Sequence, residues 1–242
     1  MFTVLRKEIN SFLNSLIAYL IMIIFLTGMG LFIWVFPDTN VLTYGFADLS
    51  TLFGLAPYVF MFLIPAVTMR SFAEEKKGGT MELLLTRPLT DWDIILGKYL
   101  ACFLLIVFTL LPTLIYYFSV YQLGNPQGNI DSAGVTGSYI GLLLLAAVFT
   151  AIGIFASVIS ENQIVSFIIA AFLCFVLFAG FSSLSSLTSG GELAYYINQL
   201  GLDYHYQALS KGLIDSRNVI YFLSVITLML MATRLILASR KW

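Results

Sequence analysis

The chain has 242 residues, 60% of them hydrophobic and only 10% charged, with a net charge of −1. A soluble domain carries about 25% charged residues, so this composition, with a mean hydropathy of +0.94, excludes an ordinary soluble enzyme and describes an integral membrane protein. It offers no basic stripe for nucleic acid, and Cys102 and Cys174, each inside an apolar run, are too few and too far apart for a disulfide framework or a thiolate metal site.

Residues 1–13 come first in chain order. Phe2, Leu5, Ile9, Phe12 and Leu13 recur at helical spacing, with Arg6, Lys7 and Asn10 between them. This is the pattern of an amphipathic helix lying in a membrane interface. The apolar stretch that follows is too long for the core of a cleavable signal, and no A-x-A-like site comes after it. A bilayer core about 30 Å thick takes roughly 20 residues of helix. Six runs meet that length, and spans are expected at 14–36, 49–69, 99–121, 138–159, 162–183 and 217–238. Between the fifth and sixth, Tyr195, Tyr196, Tyr204 and Tyr206 accompany Leu200, Leu202, Leu209 and Leu213. Tyrosine favours the headgroup level, so 188–216 reads as one or two short interfacial or re-entrant helices, or as an ordinary loop.

Lys and Arg set orientation. Arg6, Lys7, Arg70, Lys76, Lys77, Arg87, Lys98, Arg234, Arg240 and Lys241 fall on one side of a six-span bundle; only Lys211 and Arg217 fall on the other. Both termini and the 70–98 loop are therefore expected in the cytoplasm. Arg234 lies 17 residues after Arg217, about 25 Å along a helix, so it can snorkel to the cytoplasmic interface.

The 70–98 loop contains EEKKGGTMELLLTRP at 74–88, where Met81, Leu83, Leu84 and Leu85 follow a charge block. Gly78-Gly79 interrupts any helix, at about 1 kcal/mol per glycine relative to alanine. Thr80 can cap the next turn, with Glu82 where the helix dipole favours an acid. Pro88 ends it, and Thr90-Asp91-Trp92-Asp93 has the [ST]-x-x-[DE] form of a new helix start. The helix so bounded has under two turns and is unstable alone in water. Burying one Leu or Met side chain contributes about 1.5–3 kcal/mol, so Met81, Leu84 and Leu85 call for a partner surface or the membrane. The polar turn Ser160-Glu161-Asn162-Gln163 lies on the same side and offers a second contact.

The chain shows no means of its own to use chemical energy. It has no G-x-x-x-x-G-K-[ST] phosphate loop. The one histidine, His205, could pair with Ser182, Ser183, Ser185 or Ser186 as a membrane hydrolase would require, but nothing in the spacing supports it. The midplanes of the spans lack acids and bases, which weighs against an ion-coupled carrier.

Residues 70–89, RSFAEEKKGGTMELLLTRPL, followed by Ile94 to Lys98, resemble the first cytoplasmic loop of ABC-2 type permeases. Members of that family read E-x-x-x-G-T-x-E-x-L-L-x-x-P, then an isoleucine-rich stretch and Gly-Lys. Permeases associated with gliding motility are the most similar group; those of the copper and nitrous-oxide pathway share the loop. The resemblance implies an all-α integral membrane protein with six transmembrane helices, an N-terminal amphipathic interfacial helix, a cytoplasmic coupling helix and short outer-face helices. It implies a permease subunit in a bacterial cytoplasmic membrane, without enzymatic activity of its own. ATP and Mg would be held by a separate cytoplasmic ABC ATPase dimer (GldA-like), and a second permease or auxiliary membrane subunit (GldG-like) would complete the assembly. On this reading Met81, Leu84 and Leu85 fill a groove of the ATPase. Glu74, Glu75, Glu82 and Arg87 surround it, Gly78, Gly79 and Thr80 shape the turn, and Glu161, Asn162 and Gln163 make a smaller contact. The alternative is a non-transporting scaffold that uses the same loop to recruit an ATPase or envelope machine.

Overall fold

The computed structural model describes residues 1–81, 89–187, 191–212 and 215–239. Among these, every regular element is helical. Helix α1 (Phe2–Leu13) precedes α2 (Leu16–Trp34), the first span. A short α3 (Val41–Tyr44) leads to α4 (Ser50–Thr68) and α5 (Arg70–Lys77), which together make the second span and its extension. Helix α6 (Asp91–Leu110), a 3₁₀ turn at Leu111–Thr113 and α7 (Leu114–Leu123) form the third. Helix α8 (Ser132–Ile159) is the fourth. Helix α9 (Gln163–Phe175), a π-helical turn at Val176–Gly180 and α10 (Phe181–Leu187) form the fifth. Two short helices, α11 (Glu192–Gln199) and α12 (Leu202–Ser210), precede α13 (Ser216–Ser239), the sixth. All six spans are long and apolar enough to cross a bilayer. The fold is therefore an all-helical membrane bundle.

The helices outrun the expected spans mainly at their polar ends. The second continues from Met69 to Lys77, because RSFAEEKK keeps good helix formers beyond the apolar run. The third begins at Asp91, where Thr90 and Asp93 form a reciprocal capping box.

Helix α8 is the axis of the bundle: 78% of its apolar stretch is buried, against 22% for the fifth and sixth spans. Small residues explain why. A Cβ on Gly153 would stand 2.0 Å from Thr68 Oγ1, so α4 and α8 touch backbone to side chain there. A Cβ on Gly137 would meet the Leu209 carbonyl oxygen at 2.4 Å, and one on Gly141 the Tyr206 ring at 3.1 Å. These two glycines, four residues apart, form a trough on α8 that receives α12. Leu202, Tyr206 and Leu209 of α12 are buried in consequence, whereas Leu193, Tyr195 and Tyr196 of α11 are exposed. The segment between the last two spans is thus one inserted helix and one surface helix.

Tyr206 also repairs a defect in α4. Pro57 has no N–H, so the carbonyl of Phe53 loses its intrahelical donor. The Tyr206 hydroxyl donates to that carbonyl at 2.7 Å. Tyr206→Phe leaves a buried acceptor unmet, and a loss of about 1–3 kcal/mol of stability is expected. In a Pro57→Ala background the restored N–H reaches Phe53, and the same change is expected to cost much less. Equal losses in both backgrounds, measured by thermal unfolding in detergent, contradict this account.

Candidate coupling site

The site is built where α5 leaves the bundle. Helix α4 ends at Thr68 and α5 starts at Arg70, with Met69 between them in right-handed helical angles. Ser157 of α8 holds this junction. Its hydroxyl donates to the Met69 carbonyl at 3.1 Å and accepts from the N–H groups of Phe72 and Ala73 at 2.8 and 3.2 Å. The first free N–H groups of α5 are thereby capped by a side chain from another helix. Lys76 donates to the carbonyl of Val158, a second tie to the end of α8. Helix α5 buries Ser71, Phe72 and Ala73 and presents Glu74 and Lys77 to solvent.

A buried ion cluster joins α5 to α1 and α6. Lys98 of α6 is only 1% exposed. Its ammonium lies 2.9 Å from Glu8 of α1 and 3.0 Å from Glu75 of α5. It donates to the Ser71 carbonyl at 2.7 Å and sits 5.2 Å from the centre of the Phe72 ring. Lys7 reaches the same Glu75 oxygen at 3.0 Å. Burial alone lowers the pKa of Lys7; the hydrogen bond and charge of Glu75, with the charge of Glu8, outweigh it and raise the pKa. The second Glu75 carboxylate oxygen, buried, has no hydrogen-bond partner among the described residues. Beside the cluster, a Cβ on Gly97 would lie 2.9 Å from Val4, so glycine is what allows α1 to lie against α6. The Met1 ammonium adds an ion pair to Asp93 at 3.0 Å. Gly97 and Lys98 therefore do two jobs at adjacent positions: close approach and charge pairing.

Several residues expected at the ATPase edge sit elsewhere. Glu75 points inward to Lys98, because a buried ammonium demands a counter-charge. Met81 is buried in the apolar core, so it is covered by this chain itself. Glu74 is exposed and pairs with Arg70 at 3.0 Å. At the end of α5, Gly79 has φ +65° and the N–H groups of Gly79 and Thr80 return to the carbonyls of Lys76 and Glu75, the Schellman ending that favours glycine. Gly78 keeps right-handed helical angles, so the turn rests on Gly79 alone. Glu82, Leu84, Leu85 and Arg87 lie outside the described residues. On the neighbouring turn, Glu161 and Asn162 are exposed, and the Asn162 side chain caps α9 by accepting from Ile164 N–H at 2.9 Å. The ties from Ser157 and Lys76 bring this turn and α5 to the same end of the bundle.

Sequence reasoning missed the centre of the cluster. In the sequence Lys98 is one of ten cations expected on the cytoplasmic side and the end of the Ile94–Lys98 stretch, and Glu8 belongs to no motif. The signal was present: Glu8 is the only acidic residue before Asp38, on a helix otherwise basic. Arg234 also finds a partner, its guanidinium lying 5.4 Å from the centre of the Trp92 ring. His205 is structural: one ring nitrogen donates to the Gln199 carbonyl at 2.9 Å, the other lies 2.7 Å from the Asn218 side chain, and the ring stacks on Tyr221. The hydroxyls of Ser182, Ser185 and Ser186 donate to backbone carbonyls, so the geometry of a Ser–His pair is not formed there.

No curated protein matches the chain. A family model described as ABC-2 family transporter protein matches residues 2–240. That covers both α1 and the last span, and thus the whole of the candidate site. The chain belongs to the ABC-2 transporter family.

Proposed function

We propose that this chain is the membrane permease of an ATP-driven transporter and that α5, with the loop after it, receives the stroke of a separate ATPase. Members of the family are membrane components and generally work with a cytoplasmic ABC ATPase on another subunit. The observation that carries the reading is the tethering of α5. An exposed loop end is useful for coupling only if its displacement reaches the spans. Here Ser157 and Lys76 bind α5 to the axial helix α8, and Lys98 binds it to α1 and α6. Packed contacts between rigid helices can pass a local shift on as a movement of whole elements. Leu84 and Leu85 are the docking surface, Glu74, Glu82 and Arg87 flank it, and Glu161, Asn162 and Gln163 give a smaller contact. ATP and Mg belong to the partner.

The finer assignment rests on the loop sequence. The chain is read as GldF-like, acting in gliding motility with a GldA-like ATPase dimer and a GldG-like auxiliary membrane subunit. It lies in a bacterial inner membrane with α1 in the cytoplasmic interface, as the ten-to-two distribution of Lys and Arg supports. The test is purification of the tagged chain from native membranes in mild detergent. A near-stoichiometric phosphate-loop ATPase, with ATP turnover that responds to cargo in vesicles, supports a transporter. An ATPase whose turnover never responds indicates a scaffold, and no ATPase even after crosslinking overturns the reading.

A further inference from the structure

At the end of the bundle opposite α5, a cavity of about 600 Å³ lies between the starts of α4 and α8, the π-helical turn of the fifth span and α12. That volume is in the range of small-molecule sites. One part of its wall is aromatic: Tyr58 meets Phe178 edge-to-face at 5.7 Å, and Phe178 lies 6.3 Å from Tyr206. Phe178 belongs to the π-helical turn, a rare irregularity that is frequent at functional sites. The charge around these walls is unbalanced. Asp48, Asp131 and Asp203 line the cavity, with Lys211 as the only cation among the described lining residues. None of the three forms an ion pair among the described residues. Asp48 and Asp131 have local duties, accepting from the N–H groups of Ser50 and Gly134 at helix starts. Asp203 sits in the first turn of α12, where the helix dipole favours an acid, but it caps no backbone N–H among the described residues. It is partly buried, accepts only from the Gln207 amide at 2.9 Å, and its pKa is raised by burial, against the lowering effect of that hydrogen bond. A carboxylate so placed is short of a positive partner.

We propose that this cavity binds a lipophilic organic cation, with the apolar body held against Tyr58, Phe178 and Tyr206 and the charge opposite Asp203. Aromatic faces attract a desolvated cation as well as an apolar group, and the carboxylate supplies the neutralising charge. A free hydrophobic cation and the amine of a lipid headgroup share this chemistry. The site is independent of the ATPase reading, because binding requires neither nucleotide nor partner.

The experiment uses the purified full chain in phosphatidylglycerol nanodiscs and radiolabelled tetraphenylphosphonium, with empty nanodiscs giving the partition background. Saturable binding is expected, absent for the anion tetraphenylborate. Asp203→Asn is expected to weaken it at least about tenfold, the scale of one lost charge-assisted contact, while Asp203→Glu keeps it. Lys211→Gln is expected to tighten it about twofold, as removal of one exposed opposing charge should; this opposite sign keeps the test sharp even if Asp203→Asn folds poorly. Phosphatidylethanolamine added to the nanodiscs separates the sources: competition identifies the lipid amine, and no competition a free cation. Non-saturable uptake, equal binding of tetraphenylborate, or indifference to both Asp203→Asn and Lys211→Gln overturns the proposal.

Discussion

Replacing Lys98 with methionine is expected to detach α1 from the bundle. The variant leaves Glu8 and Glu75 facing each other with side chains only 13% and 14% exposed. Removing one partner of a buried ion pair costs about 3–5 kcal/mol, because the remaining charge stays desolvated. Lys7, 3.0 Å from Glu75, softens the loss, so the low end of that range is expected. Thermal unfolding in detergent should fall, and amide exchange over residues 2–13 should accelerate most. The triple variant Glu8→Gln, Glu75→Gln, Lys98→Met removes the orphaned charges and is expected to recover most of the stability. If Lys98→Met melts and exchanges like the unmodified chain, the cluster does not hold α1.

The second large effect belongs to the loop. Leu84→Asp combined with Leu85→Asp is expected to abolish ATPase association and leave membrane insertion intact. Two leucines buried on binding contribute about 3–6 kcal/mol together, so the affinity should fall by about two orders of magnitude or more. Quantitative co-purification with a size-exclusion profile separates lost association from lost folding. A normal yield of complex would remove these residues from the docking surface.

The two variants probe different links of one chain of events. On the proposed function, loop variants are expected to fail at recognition, whereas Lys98 variants are expected to keep recognition and loosen the contacts of α5 with α1 and α6. A complex that forms normally around Lys98→Met yet shows poorly coupled ATP turnover would be the signature of a transmission role, distinct from a stability defect alone.

The sequence makes the spans legible because each must satisfy its backbone internally over a fixed length, and apolar runs bounded by charges report that directly. The Thr90–Asp93 start is legible for a local reason too, its capping box. The pairing of Lys98 with Glu8 and Glu75 is not. The three residues are 90 and 23 positions apart from one another along the chain, as Glu8 to Lys98 and Glu75 to Lys98, and only packing brings them together. Gly97 reads as half of a motif; its reason, the 2.9 Å that a Cβ would leave to Val4, is a tertiary fact. Glu75 and Met81 mislead for a related cause. A charged residue and an apolar one in a polar stretch look exposed, but α5 turns Glu75 onto Lys98, and Met81, beyond the end of α5, packs into the apolar core. Tyr206 reads as an interfacial tyrosine, whereas its hydroxyl serves the carbonyl that Pro57 leaves free.

The most direct measurement concerns what covers Leu84. A photo-crosslinking amino acid at that position, activated in intact cells, reports its neighbour without purification. The account predicts a crosslink to a cytoplasmic ATPase subunit, diminished when that ATPase is depleted. Crosslinks to lipid alone, unchanged by depletion, would mean that the leucines rest on the membrane and that α5 is not the element an ATPase moves.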